Sequence, residues 1–112
     1  MKPIHNVPPP EIEDEELVAR SRTGDVSAVR GIATRYYSLI YMMAYEATGK
    51  LNQSDDLARD TFVAAWRRLS NSREPIELRS WLCALARELT DDYLRDRAGF
   101  RPENQMGHII TV

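Results

Sequence analysis

The sequence predicts an all-α fold, a compact bundle of about four helices, and three observations lead to this prediction. Apolar residues recur at helical spacing along most of the chain, as expected of helices with one buried face. Single glycines follow these periodic segments at Gly24, Gly49 and Gly99, where helices commonly end. No segment alternates apolar and polar side chains as a strand does. With 112 residues, the chain is long enough for about one domain with a modest core.

The first half of the chain is expected to hold an irregular lead and two helices. Residues 1–12 contain four prolines and are predicted to be a disordered, proline-rich lead. A first helix is predicted at about Asp14–Thr23, because acids in its first turn suit the positive end of the helix dipole. A long second helix is predicted at about Val26–Thr48. The Asp25 carboxylate is expected to cap it by accepting hydrogen bonds from its first amides.

The second half is expected to hold two further helices joined by a polar loop. Ser54 is predicted to cap a third helix over about Asp55–Leu69. A fourth helix is predicted at about Leu78–Arg97, after a loop rich in Ser, Asn and Pro. The apolar stripe of the third helix comprises Leu57, Thr61, Phe62, Ala65, Trp66 and Leu69, and that of the fourth comprises Trp81, Leu82, Leu85, Ala86, Leu89 and Tyr93.

Composition and charge narrow the function classes. Fifteen basic and seventeen acidic side chains give a net charge of −2, which predicts no strong non-specific binding to DNA or to anionic membranes. The single cysteine, Cys83, cannot form an internal disulfide. No apolar run is long enough to span a bilayer or to form the core of a signal peptide. A cytoplasmic protein without a membrane span is therefore expected.

No pattern typical of catalysis or of a metal site is found. His5 and His108 lie in the terminal segments, far from Cys83, without the spacing of a zinc site. The acidic pairs Asp55–Asp56 and Asp91–Asp92 are adjacent in sequence, so their members point to different helix faces. The glycines occur singly, so no glycine-rich phosphate loop is present. We expect a protein that is not an enzyme and that uses no cofactor or metal.

The predicted third helix carries a mixed-charge face opposite its apolar stripe. That face holds Asp55, Asp56, Arg59, Asp60, Arg67 and Arg68. Two interpretations stay open from the residues alone. The charges could form a solvated face stabilised by pairs such as Asp55–Arg59. They could also form a docking surface that pairs with a partner helix of opposite charge pattern.

Four segments, in order, resemble a known family. They are D-E-E-L-V-A-R-S-R-T-G-D, R-Y-Y-S-L-I-Y, D-D-L-A-R-D-T-F-V-A-A-W-R and S-W-L-C-A-L-A-R-E-L-T-D-D-Y-L-R. The chain from about Asp14 to Arg97 resembles region 2 of bacterial RNA polymerase sigma factors of the sigma-70 superfamily, in the extracytoplasmic-function (ECF) form. The third segment looks like the family's core-binding helix, and the fourth resembles its promoter-melting helix.

The resemblance implies a polymerase-docking surface on the third helix. In the family this helix binds the clamp helices of the largest subunit of the RNA polymerase core. By position, the core-binding residues implied here are Asp56, Arg59, Asp60, Val63 and Arg67. The family usually has Gln then Glu before the Thr-Phe pair, where this chain has Arg59 and Asp60. A guanidinium in place of an amide changes both charge and reach at a docking face.

The resemblance also implies a DNA surface on the loop Ser70–Glu77 and the fourth helix, for the non-template strand of the promoter −10 element. In the family this loop forms a pocket for a flipped base, which needs partners for its edge. The DNA-binding residues implied are Asn71, Ser72, Arg73, Arg79, Ser80, Arg87, Arg95 and Arg97, the arginines of the helix meeting phosphates. Glu88 stands where the family usually has Asn, and acids offset the arginines of this helix. Trp81 fits core packing better than a melting wedge.

Three hypotheses remain to be tested. The first is a transcription-initiation module that docks on the polymerase clamp and recognises the −10 element. The alternative is a sigma-like decoy that binds an anti-sigma factor without productive DNA binding, and the third is an unrelated helical bundle. Residues 13–98 would form the sigma region 2-like domain, and 99–112 a tail or the start of an interdomain linker. Complete members carry a further domain that reads the −35 element, so a fragment of a longer protein is the simplest expectation, and a naturally short protein stays open as the alternative.

Overall fold

The computed structural model describes residues 12–97, and these form four α-helices with no strand among them. The helices are α1 (Asp14–Arg22), α2 (Val26–Thr48), α3 (Leu51–Ser70) and α4 (Leu78–Arg97). The prediction of an all-α bundle of four helices is confirmed. The tail, Gly99 and all of the proline-rich lead except residue 12 lie outside the described residues, so the predictions made for them stay predictions. None of the described helices is both long and apolar enough to cross a membrane.

The ends of α2 are formed as the sequence predicts. The Asp25 side chain accepts hydrogen bonds from the amides of Ser27 at 3.0 Å and Ala28 at 3.3 Å. Hydrogen bonding from Ser27, followed by the amide bonds, holds the pKa of the Asp25 carboxyl below its usual range. At the other end Gly49 has φ 69°, a left-handed conformation that glycine adopts without a side-chain clash, and its amide donates to the Tyr45 carbonyl at 2.8 Å.

The predicted start of α3 is wrong by one helical turn. The helix begins at Leu51, and Ser54 lies inside it rather than capping it. The Ser54 hydroxyl is buried and donates to the Lys50 carbonyl four residues earlier at 2.6 Å, and it also contacts the Thr48 hydroxyl at 3.0 Å. A serine that bonds back to this carbonyl is compatible with a helix interior, so the helix continues to the turn that follows α2.

The core draws on all four helices. Ile40 of α2 and Leu82 of α4 are fully buried. Their buried apolar neighbours are Leu17, Val18, Ala28, Ile32, Ala58, Ala65, Leu69, Leu78, Leu85 and Ala86. One member of the predicted α3 stripe is misassigned: Trp66 is 43% exposed, because it lies one residue, or about 100°, beyond the buried Ala65. Trp66 is therefore on the rim of the bundle.

A polar latch joins the start of α1 to α2. Arg35 donates to the Asp14 carboxylate at 2.9 Å and to the Ile12 carbonyl at 2.9 Å, while the Tyr36 hydroxyl donates to the same carboxylate. Burial, and then the bond to Asp14, raise the pKa of Tyr36 to about 12. The latch holds the first turn of α1 on the bundle, and the other end of α1 carries Arg22 toward the loop before α4.

Candidate functional site

The outward side of α3 is a continuous exposed surface that we call the α3 face. It comprises Asp56, Arg59, Asp60, Val63, Trp66 and Arg67. Two apolar side chains lie among the charges, since Val63 is 46% exposed and Trp66 is 43% exposed. All five residues predicted as core-binding lie on this face. Sequence reasoning missed Trp66, although its position three residues after Val63 places both on one side of a helix.

Arg59 is held between two carboxylates on the α3 face. Its Nη2 lies 2.9 Å from Asp55 Oδ2 and 3.1 Å from Asp56 Oδ1. Asp55 also accepts a hydrogen bond from the Tyr37 hydroxyl of α2. That bond, followed by burial, raises the pKa of Tyr37 to about 12. Arg59, where the sequence differs from the usual pattern of the family that it resembles, is thus oriented by its own helix and, through Asp55, by α2.

A row of aromatic rings runs beside the α3 face along α2. The ring centroids of Tyr37 and Tyr41 are 5.9 Å apart, those of Tyr41 and Tyr45 are 6.3 Å apart, and Phe62 of α3 stacks on Tyr37 at 6.4 Å. Tyr45 is exposed at the end of the row, whereas Tyr41 is only partly so. The contact between Tyr37 and Phe62 joins α2 to α3, and the other two tyrosines extend the row along α2.

The loop of residues 71–77 is ordered by its own polar groups. Asn71 donates from its side-chain amide to the Arg67 carbonyl at 2.9 Å, which satisfies a free carbonyl at the end of α3. The Ser72 hydroxyl accepts from the Glu74 amide at 3.0 Å. From α1, the Arg22 guanidinium donates to the Glu74 carbonyl. The loop predicted to contact DNA is therefore tied to both α3 and α1.

A concave site of about 380 Å³, which we call the three-arginine cleft, opens between this loop, α1, α3 and α4. Its three cations are Arg22, Arg67 and Arg68. The other lining residues are Leu69, Asn71, Ser72, Glu74, Ile76 and Trp81. Two predicted DNA residues, Asn71 and Ser72, thus meet with Arg67, which was predicted as core-binding. Arg22 and Arg68 were not predicted as site residues. The half-buried Trp81 both packs against the core and lines the cleft, so it is not purely a core residue.

The predicted DNA-binding residues on α4 do not gather at one place, unlike those of the loop. Glu77 caps the helix, because its carboxylate accepts hydrogen bonds from the Ser80 hydroxyl at 2.6 Å and the Ser80 amide at 2.8 Å. These bonds hold the pKa of Glu77 below its usual range. Arg79, Arg87 and Arg95 are exposed but spaced by eight residues, and each step of eight turns by about 80° around the helix. The side chain of Arg97 lies outside the described part of the chain.

Two acids pair with arginines near α4. Arg95 bonds Asp92 one turn earlier, and Arg68 of α3 lies 3.4 Å from Glu88 of α4. The Arg68–Glu88 pair bridges the two helices at the edge of the three-arginine cleft. Both of its side chains are more than half exposed, so it is a weak pair. Among residues 12–97 no group of three His, Cys, Asp or Glu side chains could hold a metal ion.

Comparison with known proteins gives one family and several relatives. The family described as Sigma-70 region 2 matches residues 32–100. ECF RNA polymerase sigma factor BldN of Streptomyces coelicolor is 28% identical over 98 residues, which are 87% of this chain and 37% of that protein. ECF RNA polymerase sigma factor SigW of Bacillus subtilis is 24% identical over 83 residues, 74% of this chain and 44% of that protein.

A third relative agrees with these two. RNA polymerase sigma-H factor of Pseudomonas aeruginosa is 24% identical over 94 residues, 84% of this chain and 49% of that protein. The chain thus spans less than half the length of each of these curated relatives. No solved structure matches the chain.

Proposed function

Because the chain belongs to the sigma-70 region 2 family, in its ECF form, we propose that it is a non-catalytic module of transcription initiation in the cytoplasm. Its α3 face docks on the clamp helices of the RNA polymerase core. Its 71–77 loop and α4 receive the non-template strand of the −10 element as the promoter opens. The observation that carries the proposal is the α3 face, an exposed mixed-charge surface with an apolar centre.

The docking step is supported by the composition of the α3 face. Val63 and Trp66 offer apolar area to bury, while Asp56 and Asp60 bear charges of one sign at the rim. Interfaces commonly combine an apolar centre with polar edges, and charges at the edge fix orientation and speed association. Arg59 is already oriented by two carboxylates, so less side-chain freedom is lost when a partner binds.

The DNA step is supported by the 71–77 loop. Asn71 and Ser72 present amide and hydroxyl groups that can bond a base edge, and the adjoining ring of Trp81 is flat. Base recognition outside a duplex needs these two elements. Exposed Arg79, which follows the loop, can meet the phosphate backbone.

The affinity of charge-reversed variants for the RNA polymerase core tests the docking proposal. The chain is titrated with RNA polymerase core at low salt, and Asp56→Lys and Asp60→Lys are each expected to weaken binding by about tenfold, as a repulsive charge at an interface does. The matched control is Asp91→Lys, which reverses an exposed acid on α4, away from the α3 face. Equal affinities for all four proteins, or no binding by the wild-type chain, would rule docking out.

The decoy function remains the second candidate, because acids compensate arginines near the DNA surface. Glu88 pairs with Arg68 and Asp92 pairs with Arg95. A chain that binds an anti-sigma factor but not DNA would tolerate such pairs. Absence of binding to any single-stranded −10 sequence, together with tight binding to an anti-sigma factor, would select this alternative. Single-strand binding by the wild-type chain would select the first function.

A further inference from the structure

We infer that the three-arginine cleft is a phosphate-binding site for a single DNA strand, and that Arg22 of α1 is one of its ligands. This inference rests on the proposed function, which it deepens. It adds α1 to the DNA surface, and it gives Arg67 and Arg68, at the end of α3, a role in binding DNA.

The Arg22 guanidinium is held by the loop but is not fully hydrogen-bonded. One of its terminal nitrogens donates to the Glu74 carbonyl, which fixes the plane of the group against the loop. Its Nε is buried and has no hydrogen-bond partner among the described residues. A buried donor without an acceptor is costly, so such a group is usually completed by a partner. Arg22 lines the cleft, and a phosphate oxygen entering there would supply an acceptor once the Arg22 side chain shifts to present its Nε.

Cationic side chains outnumber acidic ones around the cleft. Three arginines line it with one acidic residue, Glu74, and a second acid, Glu88 of α4, pairs with Arg68. Glu88 lies 3.4 Å from Arg68, and both side chains are more than half exposed. In a weak exposed pair of this kind, a phosphate can replace the carboxylate, because it accepts hydrogen bonds from the planar guanidinium more strongly than the carboxylate does. The excess charge is positive, which suits an anion with one or two negative charges.

Apolar side chains form a wall of the cleft beside the cations. Leu69, Ile76 and the half-buried Trp81 line the same cleft as the arginines. A bare inorganic anion would gain nothing from such a wall. A nucleotide would gain from both parts, because its phosphate meets the arginines while its base lies on the ring of Trp81. The cleft of about 380 Å³ is within the range of small-ligand pockets.

The experiment measures how salt weakens binding of the 112-residue chain to a fluorescein-labelled single strand of twelve thymidines. For single strands, the slope of log affinity against log salt is about −0.7 for each phosphate neutralised. Arg22→Gln is expected to raise the Kd about tenfold, as loss of a hydrogen bond to a charged group does, and to make the slope shallower by about 0.7. The matched control is Arg30→Gln on the exposed side of α2, which should leave both values unchanged.

Additional variants separate ligand binding from loop support, since Arg22 also holds the Glu74 carbonyl. Arg67→Gln and Arg68→Gln remove cations whose side chains do not hold the loop, and each should reduce the slope by about 0.7. Glu88→Gln releases Arg68 and should tighten binding about two- to fivefold. In the wild-type chain, the NMR signal of the Arg22 Nε–H should move when the strand is added, which loop support alone would not cause.

The outcomes are distinct. Strand binding with the same affinity and slope in the three arginine variants as in Arg30→Gln would overturn the inference and leave the proposed function intact. No strand binding by the wild-type chain would overturn the inference and the DNA half of the proposed function, while core docking would still stand. Equal competition by a twelve-residue glutamate peptide would assign the cleft to an acidic protein segment instead, which also overturns it.

Discussion

The α3 face and the three-arginine cleft share helix α3 and meet at Arg67, but they differ in how their charges are arranged. On the α3 face, Arg59 is satisfied by Asp55 and Asp56 within the helix, and apolar side chains occupy the centre. In the cleft, cations from α1 and α3 converge on a loop, and one buried donor has no partner. A charge-balanced surface suits a protein partner, whereas excess cations beside an unsatisfied donor suit an anion. Helix α3 is therefore divided along its length into a part that suits a protein partner and an end, from Arg67 onward, that suits an anion.

The largest expected effect tests whether the two regions share one support. Leu82 is fully buried in the core that joins all four helices. Leu82→Ala is expected to lower the free energy of unfolding by about 2–5 kcal/mol, through lost burial and the cavity left behind. Urea denaturation followed by circular dichroism measures it. Leu94→Ala, at a 37% exposed site of the same helix, should cost less than about 1 kcal/mol.

If the two regions depend on one hydrophobic core, Leu82→Ala should weaken binding to the RNA polymerase core and binding to DNA together, at temperatures where the variant begins to unfold. A variant that unfolds more easily and yet loses only one of the two activities would contradict a common support. In that case the α3 face and the cleft would be separate folding units.

An effect of intermediate size is expected in the pH dependence of stability, and it tests how Tyr37 supports the α3 side of the comparison. The pKa of Tyr37 is raised to about 12 in the folded chain, from an ordinary value of 10.0, chiefly by its bond to Asp55. The unfolded chain therefore loses this proton first as pH rises. The stability that Tyr37 contributes is complete below about pH 10 and declines between about pH 10 and 12. The pKa of Tyr36, in the polar latch between α1 and α2, is also raised to about 12, so its contribution to stability declines over the same pH range.

Thermal denaturation at pH values from 8 to about 12 checks this expectation. The double variant Tyr36→Phe and Tyr37→Phe should lose stability less steeply in the alkaline range than the wild-type chain. Tyr45→Phe, at an exposed ring, is the matched control and should follow the wild-type profile. Identical slopes for the double variant and the wild-type chain would show that the two hydroxyls do not support the fold.

The smallest expected effect concerns Arg59. Its two ion pairs are exposed, with Arg59 itself at 64%, so water and salt weaken them. Arg59→Gln should change the free energy of unfolding by less than about 1 kcal/mol. A larger loss in urea denaturation would mean that Arg59 supports the fold, which would weaken its assignment to a docking face. Lys50→Gln, at another exposed cation, provides the reference.

Sequence periodicity and turn residues were sufficient for the fold. The bounds of α2 and α4 follow from the Asp25 cap, the Gly49 stop and the spacing of apolar residues. The start of α3 was missed because a serine before two acids resembles a cap, whereas Ser54 instead bonds back to the Lys50 carbonyl. Local pattern cannot separate these cases, because the choice depends on the Thr48 hydroxyl across the turn.

The site was only partly predictable, for a different physical reason. The predicted core-binding residues lie on one helix, so their helical spacing alone groups them. The cleft instead depends on a contact between Arg22 and the Glu74 carbonyl, which are 52 residues apart. No local pattern signals that approach. Arg22 could have been considered only after the packing of α1 against the loop was known.

The most direct test of this division of α3 measures two variants against two partners. Asp60→Lys and Arg68→Gln are each titrated with RNA polymerase core and with the labelled twelve-thymidine strand. We expect Asp60→Lys to weaken core binding about tenfold without weakening strand binding, and Arg68→Gln to make the salt slope of strand binding shallower by about 0.7 while core binding is unchanged. Equal losses of both activities in both variants would contradict the division.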